Sequence, residues 1–348
     1  MPRPRRRSFI KTSGAAAVAG ITGLAGCSGG NGNGTQSGTT GTGGSGSDTY
    51  TIASTLPETG AFSPLYQDLK RGYEMGVARV NANGGVHGKE VELIVKDDES
   101  DPRVLREKLT QMISNNDVDM IWGSFGGVLV TSMVAIAERE QIPLISVTFG
   151  ETKLPEERGY EWSCFPFPNS RQHAESTTAV LQMIPEDERP TRIGQWVPNT
   201  NWSIEQANYW EQALTDAGFE MVFREKHQLH ASDFSSLISK SESAGVEALL
   251  GTPAPDGGIT AMKQINESTF TPSYIQFVRA ADTSGWWNAL GEAGRDVIMA
   301  PGWVPGQTGN GTEELLQTYY ERYDVPKDDL PAVMTGASYN LTQVFEQA

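Results

Sequence analysis

The chain has 348 residues, a length at which a prior of about 150 residues per domain favours two domains over one. Its 43 acidic and 27 basic residues give a formal net charge of −16, which excludes nucleic acid and anionic lipid as partners because both would be repelled. The charge fits an acidic surface that keeps the protein soluble, or a protein that works in high salt, where repulsion is screened. The two cysteines, Cys27 and Cys164, are too few for a disulfide framework.

Residues 1–27 have the organisation of an export signal. A basic start that includes Arg6-Arg7 precedes an apolar run of small residues at 15–25, which is too short to span a bilayer permanently. The paired arginines resemble a twin-arginine signal, and the residues before Cys27 resemble a lipobox with Cys27 as the lipidated residue. Residues 28–49 are nearly all Gly, Ser, Thr and Asn, and we expect them to form a flexible tether. The segments predict a lipid-anchored protein at the outer face of the cytoplasmic membrane.

The stretch from residue 50 to 102 predicts a β-α-β-α unit. Its strands are Thr51–Leu56 and Val91–Val95, and the helix between them runs from Leu65 to Val80. Gly72 and Gly76 would allow this helix to approach a sheet closely. Parallel strands in such units need right-handed crossovers, and ligands gather at the carboxyl ends of the strands.

Two loops of this unit carry further expectations. Asp101-Pro102 places an N-cap and a proline at the first turn of the next helix. The loop from Pro57 to Tyr66 follows the first strand, so it lies at the edge of the sheet where a ligand would bind. We therefore expect Phe62 and Tyr66 to offer apolar contact to a ligand.

Two more strands, at 119–123 and 143–148, complete the first half of the predicted fold. Their ends should lie beside the end of the first strand at Leu56, and helices are expected at 105–113 and 129–140. Glycines in these ends would let backbone N–H groups point at a ligand, although the same glycines fit ordinary turns. The candidate ligand-binding residues at these ends are Ser124, Phe125, Gly126, Gly127, Thr148, Phe149 and Gly150.

The alternation of strands and helices restarts after residues 165–168, where two prolines exclude helix and indicate a hinge crossover. The predicted strands are 192–197, 221–228, 248–251, 274–278 and 297–300, and the predicted helices are 171–183, 204–217, 234–244, 258–268, 313–323 and 335–348. Pro301-Gly302 is a candidate return crossover. These boundaries predict a first lobe at 50–167, a second lobe at 168–301 and a return to the first lobe at 302–348.

Four segments of the sequence carry a family resemblance. They are Thr59-Gly60, residues 81–89 (NANGGVHGK), residues 97–102 (DDESDP) and residues 142–146 (IPLIS). The chain resembles the extracytoplasmic solute-binding proteins of branched-chain amino-acid type ABC importers. The resemblance implies an α/β type I periplasmic-binding-protein fold, with two Rossmann-like, doubly wound lobes joined by a hinge and a ligand cleft between them. In that family a helix, a strand and a third crossover follow this point, so we expect the chain to continue beyond Ala348.

The resemblance also suggests residues of the second lobe that meet the ligand. Trp202 matches an aromatic residue that covers the ligand in the family, although a half-buried packing role fits it equally well. Members that bind α-amino acids have an acidic residue where this chain has Arg279; a shift of three residues would bring Asp282 there, and Asp256 follows the neighbouring strand. Arg279 at this position would favour a carboxylate or another planar anion. It could instead form an ion pair at the surface.

These observations predict a non-catalytic receptor that captures a small solute, either an amino acid or a small carboxylate or amide. The resemblance implies an ABC permease as its partner, no cofactor, no bound metal and a monomeric state. The alternative is the ligand-binding domain of an extracytoplasmic signalling receptor, which shares the fold. An exported hydrolase would need a nucleophile with its base or a metal cluster. His227 and His230 do not suit a shared metal, because they are three residues apart where a predicted strand leads into a loop, a spacing that puts them on opposite faces.

Overall fold

The computed structural model describes residues 49–281, 283, 285–300, 302–309, 311–328 and 330–347. The predicted twin-arginine signal, the lipobox and most of the tether lie outside these residues, as does Asp282. Within the described part of the chain, no helix combines the length and apolar character that crossing a bilayer requires.

The first lobe is built on a five-stranded parallel sheet with the strand order β2-β1-β3-β4-β5. Its strands are β1 (Thr49–Leu56), β2 (Glu90–Asp97), β3 (Val118–Trp122), β4 (Leu144–Ile145) and β5 (Ser163–Cys164). The helices along this part of the chain are α1 (Tyr66–Ala82), α2 (Pro102–Asn115), α3 (Gly127–Glu140) and α4 (Lys153–Arg158).

The second lobe repeats this architecture with the strand order β10-β9-β8-β6-β7, again parallel throughout. Its strands are β6 (Arg192–Pro198), β7 (Glu220–His227), β8 (Ala248–Gly251), β9 (Tyr274–Phe277) and β10 (Val297–Ile298). The helices in the rest of the chain, which are not all part of the second lobe, are α5 (Ser170–Met183), α6 (Asn201–Asp216), α7 (Ser235–Ser243), α8 (Pro255–Asn266), α9 (Gly285–Leu290), α10 (Thr312–Tyr323) and α11 (Val333–Gln347).

Each sheet is buried on both faces, and the strands show why. Successive side chains of a strand point to opposite faces. In β1, Ile52 and Leu56 therefore pack with α1 and α11, whereas Ala53 packs with α2 and α3. In β8, Leu249 packs with α7 and α8, and its neighbour Leu250 packs with α5 and α6. Strands that are apolar on both faces are characteristic of parallel sheets covered by helices.

Local signals fix where several helices begin. The side chain of Asp101 accepts a hydrogen bond from the Arg103 N–H at 2.7 Å, as predicted for the start of α2. Hydrogen bonds from the Arg103 side chain, and then from its backbone N–H, lower the pKa of Asp101 to about 2. The start of α5 carries a reciprocal capping box between Asn169 and Gln172, with both hydrogen bonds at 3.0 Å, which the sequence analysis missed.

Two predictions about elements were wrong, and three elements were not predicted. The strand predicted at 143–148 is only Leu144–Ile145, and α4, β5 and α9 were missed. Gly72 and Gly76 of α1 face α11 rather than a sheet, since a Cβ on Gly72 would lie 1.9 Å from Ser338 Oγ and one on Gly76 2.1 Å from Thr342 Cγ2. The absence of both side chains lets the two helices pack closely.

Candidate ligand-binding cleft

A cavity of about 270 Å³ lies between the two lobes, at the carboxyl ends of their strands. The first lobe and the crossover that leaves it contribute Phe62, Phe125, Gly126, Gly127, Val128, Thr131, Thr148, Gly150, Glu151 and Phe167. The second lobe contributes Thr200, Asn201, Trp202, Ser203, Leu229, Thr252, Pro253, Ala254, Pro255 and Arg279. This volume lies just below the range of about 300–1,000 Å³ that is usual for small-molecule pockets. The cavity therefore suits a small solute.

The first-lobe wall comes from the loops after β1, β3 and β4, which are neighbours in the sheet. Phe62 and Phe125 stand beside each other in this wall, with ring centres 5.5 Å apart. Gly126 has a φ of +81°, a backbone conformation that favours glycine, and it turns the chain into α3. The predicted meeting of three strand ends is thus observed, with the third strand ending at Ile145 rather than at Thr148.

The hydroxyl groups of this wall are held by hydrogen bonds within the first lobe. Thr148 lines the cavity, and its hydroxyl donates to the backbone carbonyl of Ser124. Ser124 itself is fully buried and donates from Oγ to Asp98 Oδ2 at 2.6 Å. Burial raises the pKa of Asp98. The Ser124 hydroxyl therefore supports the strand end and does not line the cavity.

Trp202 crosses the cleft from the second lobe. It is the second residue of α6, whose N-cap Thr200 accepts a hydrogen bond from the Ser203 N–H at 3.1 Å, so the helix begins three residues before the predicted start at 204. A Cβ on Gly150 would lie only 2.8 Å from Trp202 Nε1. This buried N–H has no hydrogen-bond acceptor within the described residues. Because an unpaired buried donor is costly, a solute acceptor at this point would be favourable.

Arg279 lies just beyond the end of β9 and is 7% exposed, so the alternative that placed it at the surface was wrong. Its guanidinium carbon lies 4.8 Å from the centre of the Phe167 ring, and Nη2 lies 2.5 Å from the sulfur of Met334 in α11. Burial, together with the charge of Arg279, lowers the pKa of His173 to about 4, which keeps that histidine neutral beside the guanidinium. The arrangement holds one permanent positive charge in the cavity wall.

Glu151 is a cavity residue that the sequence analysis missed. Burial, and then the nearby carboxylate of Glu205, raise the pKa of Glu151 to about 7. A Cβ on Gly127 would lie 2.8 Å from Glu151 Oε1, which places the carboxyl group at the first residue of α3. No residue that the structure describes donates a hydrogen bond to this carboxyl group.

Eight of the twelve predicted ligand-binding residues line the cavity, and the other four do not. Tyr66 is buried in the core of the first lobe, where its ring meets Lys70 at 5.4 Å. Ser124 is bound to Asp98, and Phe149 is buried with its ring centre 4.4 Å from that of Phe165. Asp256 is exposed in the first turn of α8, where its carboxylate lies 3.2 Å from His230 Nδ1.

Comparison with known proteins identifies the family. A family model described as periplasmic binding protein matches residues 49–348, which is most of the chain. The chain belongs to the periplasmic binding protein family. Its members are solute-binding proteins of ABC transporters and not enzymes, and the resemblance predicted from the sequence is confirmed. The Leu/Ile/Val-binding protein homolog 7 of Brucella abortus is 25% identical to this periplasmic binding protein over 284 residues, which are 78% of this chain and 70% of the relative.

Solved structures confirm the type I periplasmic-binding-protein fold, with two parallel-sheet lobes. The branched-chain amino acid binding protein LivJ of Streptococcus pneumoniae, in complex with isoleucine, has a TM-score of 0.76 at 16% identity. That alignment covers 86% of this chain and 83% of LivJ. A solute-binding protein of R. palustris in complex with benzoate has a TM-score of 0.73 at 17% identity, covering 85% of this chain and 79% of the other.

The lobes of this periplasmic binding protein also meet outside the cavity. Glu205 of α6 accepts hydrogen bonds from the backbone N–H groups of Thr152 at 2.6 Å and Lys153 at 3.1 Å, at the start of α4. A carboxylate is stabilised at a helix start because the first N–H groups there lack partners within the helix. The contact therefore holds the rims of the two lobes together on the Glu151 side of the cavity.

The sequence contains patterns that would have identified several of the cavity residues that were not predicted for this periplasmic binding protein. Thr252–Pro255 directly follow β8, whose end was predicted at Gly251, so the strand-end rule applied to the first lobe would have found them. Glu151 directly follows the predicted Gly150. Phe167 was interpreted only as part of a hinge, and its contact with Arg279 depends on a pairing 112 positions apart that no local pattern indicates.

Proposed function

We propose that the protein is the solute-binding lipoprotein of an ABC importer and that it captures a small organic carboxylate between its two lobes. Membership of the periplasmic binding protein family supports the general role. The proposal that the solute is a carboxylate rests on one observation, the buried guanidinium of Arg279 in the cavity wall. Guanidinium groups bind carboxylates through paired, charge-assisted hydrogen bonds, and they stay positively charged at any physiological pH.

The rest of the cavity fits the two parts of such a solute. The buried N–H of Trp202 offers a second donor for an acceptor oxygen. Phe62 and Phe125 offer an apolar surface for the body of the solute. The isoleucine bound to LivJ and the benzoate bound to the R. palustris protein both combine a carboxylate with an apolar body. Closure of the lobes removes water from the solute, so each polar group on it needs a partner in the wall.

The proposal includes export by the twin-arginine route, a lipid on Cys27 and delivery of the solute to a permease as a monomer. The basis for export and anchoring is the leader sequence at 1–27, and the tether at 28–49 would let the lobes reach a permease from the membrane surface. The outer face of the cytoplasmic membrane is where such a receptor meets its solute before import.

A thermal-shift screen of the purified protein tests this function. The panel contains amino acids, aliphatic and aromatic carboxylates, amides, and the methyl ester of each carboxylate as its uncharged control. A ligand at 100 times its Kd stabilises the folded state by about 2.7 kcal/mol, so a true solute raises Tm measurably. We expect at least one small carboxylate to raise Tm in a saturable way and its ester to have no effect. An ester or amide that binds as well as the acid would contradict the proposal that the solute is a carboxylate. A panel without any binder would contradict the proposal that the protein captures a solute.

A further inference from the structure

Glu151 differs from its neighbouring carboxylate in one respect. Glu205 receives two backbone hydrogen bonds from the start of α4, so its charge is stabilised within the protein. Glu151 is partly buried in the cavity wall, and no described residue donates to it. A carboxylate in a cavity wall is a ready acceptor for a donor on the solute, because closure of the lobes would otherwise remove its water without replacing it. The wall of the cleft therefore contains an acceptor whose donor is not supplied by the described part of the chain.

The charged side chains of the cavity wall are divided between the lobes. Arg279 comes from the second lobe and Glu151 from the first, and the other described side chains that line the cavity carry no charge. Among the first-lobe residues that the structure describes, no lysine, arginine or histidine lines the cavity beside Glu151. A solute that places its acid group on Arg279 would still leave Glu151 without a donor, unless the solute supplies one.

We propose that Glu151 is a specificity-determining residue that accepts a hydrogen bond from the solute, so that the cleft selects carboxylates that also carry an amino, amide or hydroxyl group. This inference rests on the proposed function, since it takes Arg279 as the group that holds the acid. It fixes the direction of the solute, with the acid toward the second lobe and the donor toward the first. A site built to bind a polar group rejects analogues without that group strongly, because its own buried partner is then left unpaired.

The surroundings of Glu151 agree with this role. Burial and Glu205 raise the pKa of Glu151 to about 7, so its ionised form is short of stabilising partners before a solute arrives. Burial, and to a smaller extent the nearby Glu151, raise the pKa of Tyr160, so its hydroxyl is neutral at this pH. An ammonium group on the solute would offset burial and the charge of Glu205 by stabilising the ionised carboxylate, and a neutral N–H or O–H donor would do so in part.

Pairs of compounds that differ by one donor test the proposal by isothermal titration calorimetry. The pairs are leucine and 4-methylpentanoate, 5-aminopentanoate and pentanoate, and 4-aminobenzoate and benzoate. We expect the donor-bearing member of at least one pair to bind the wild-type protein at least tenfold more tightly than its partner. This comparison needs no substitution, so it does not depend on a variant that folds.

Two variants then connect the preference to Glu151. Glu151→Gln should reduce the ratio of the two Kd values to threefold or less, because the amide has lost the negative charge. Glu157→Gln, an exposed glutamate of α4 outside the cavity, should keep the tenfold ratio. Equal or tighter binding of the plain carboxylate in every pair, or an unchanged ratio in Glu151→Gln, would overturn the inference and leave the proposed function standing. If no compound of any pair binds, the proposed function fails and the inference fails with it.

Discussion

Arg279 occupies a backbone conformation that few residues of its size adopt. Its φ of +77° lies in the left-handed region, where a side chain crowds the backbone. Such a conformation costs on the order of 1–3 kcal/mol and is found most often at binding and active sites. Burial against Phe167 and Met334 holds the side chain in place despite this cost. The strain supports a functional role for Arg279 that packing alone does not require.

Arg279→Ala should weaken the binding of a carboxylate solute by more than tenfold, which is about 1.4 kcal/mol or more, because a buried charged hydrogen bond is lost. Calorimetric titration of the wild type and the variant measures the difference. Arg224→Ala is the matched control, since Arg224 pairs with Glu211 on the second lobe and does not line the cavity. An affinity that stays the same in Arg279→Ala would remove this residue from the site.

Glu151 predicts a pH dependence of stability in the solute-free protein. A glutamate has a pKa near 4.5 in an unfolded chain, and the fold raises this pKa to about 7. As the pH rises from 4.5 to 7, the unfolded chain releases the proton while the folded protein keeps it, so Glu151 lowers the free energy of unfolding across this window. Glu151→Gln lacks this titration. The Tm of the variant should match that of the wild type near pH 4.5 and exceed it by roughly a few degrees at pH 8, on the scale at which Tm follows stability.

Differential scanning calorimetry at pH 4.5, 6 and 8 checks this prediction. The lowered pKa of His173 affects wild type and variant alike, so the difference between their Tm values isolates Glu151. A constant Tm difference over the whole range would show that the carboxyl group titrates normally in the folded protein.

Helices α1 and α11 touch through residues that are far apart in the chain. Gly72 and Gly76 lie one turn apart on α1, and Ser338 and Thr342 lie one turn apart on α11. Ser338 Oγ donates within its own helix to the carbonyl of Met334 at 2.6 Å, which satisfies the hydroxyl at this tight contact. The pairing attaches the C-terminal helix to the first lobe.

Gly72→Ala should lower the free energy of unfolding by about 1–3 kcal/mol, the usual cost of overpacking a tight interface. The new Cβ would lie 2.4 Å from the Thr335 carbonyl oxygen, which is backbone and cannot rotate away. Urea denaturation followed by circular dichroism measures the change. Gly306→Ala is the control, because a Cβ there meets open space. Equal stability of the two variants would mean that α1 and α11 are less closely packed than described.

A comparison of predicted and observed strands and helices shows which sequence patterns locate an element correctly. Strands with apolar side chains on both faces, such as β1 and β8, were predicted within two residues of their ends because their composition and length are decisive. β4 was predicted too long, since the apolar run at 143–148 continues past the point where the sheet ends. The start of α6 was placed late because several polar residues compete as caps, and only the geometry selects Thr200.

At the scale of the molecule, the two lobes are in contact around the cavity. Trp202 reaches Gly150, Arg279 reaches Phe167, and Glu205 binds the start of α4. Each of these contacts joins the second lobe to the first lobe or to the crossover. Proteins built from two such lobes close by hinge bending around a ligand. These contacts are therefore expected to form on closure and to break on opening.

Glu205→Ala should weaken solute binding by roughly fivefold. The closed arrangement loses two hydrogen bonds to the Glu205 carboxylate, whose combined net contribution is about 1 kcal/mol. Glu211→Ala on the same helix is the control, since Glu211 pairs with Arg224 of its own lobe. Calorimetry with the solute found in the screen measures both. If the two variants bind equally well, the Glu205 contact does not contribute to closure.

The sequence predicts the cavity residues that directly follow a strand. It does not predict the contacts that form only when the two lobes meet. Loops after β1, β3 and β4 were placed together correctly, because parallel strands bring their ends to one edge. Tyr66 was misplaced, since helical spacing does not tell which side of a first turn faces the cleft. The raised pKa of Glu151 arises partly from Glu205, a residue of the other lobe, and no pattern in either segment contains that contact.

The fluorescence of Trp202 tests most directly the claim that a solute is trapped between the lobes. The chain contains eight tryptophans, so the signal of Trp202 is obtained by subtracting the titration of Trp202→Phe from that of the wild type. With the carboxylate identified in the screen, the wild type should show a saturable change in emission that is absent from Trp202→Phe. A solute that binds in calorimetry and changes the emission of both proteins equally would show that it binds elsewhere and would contradict the account.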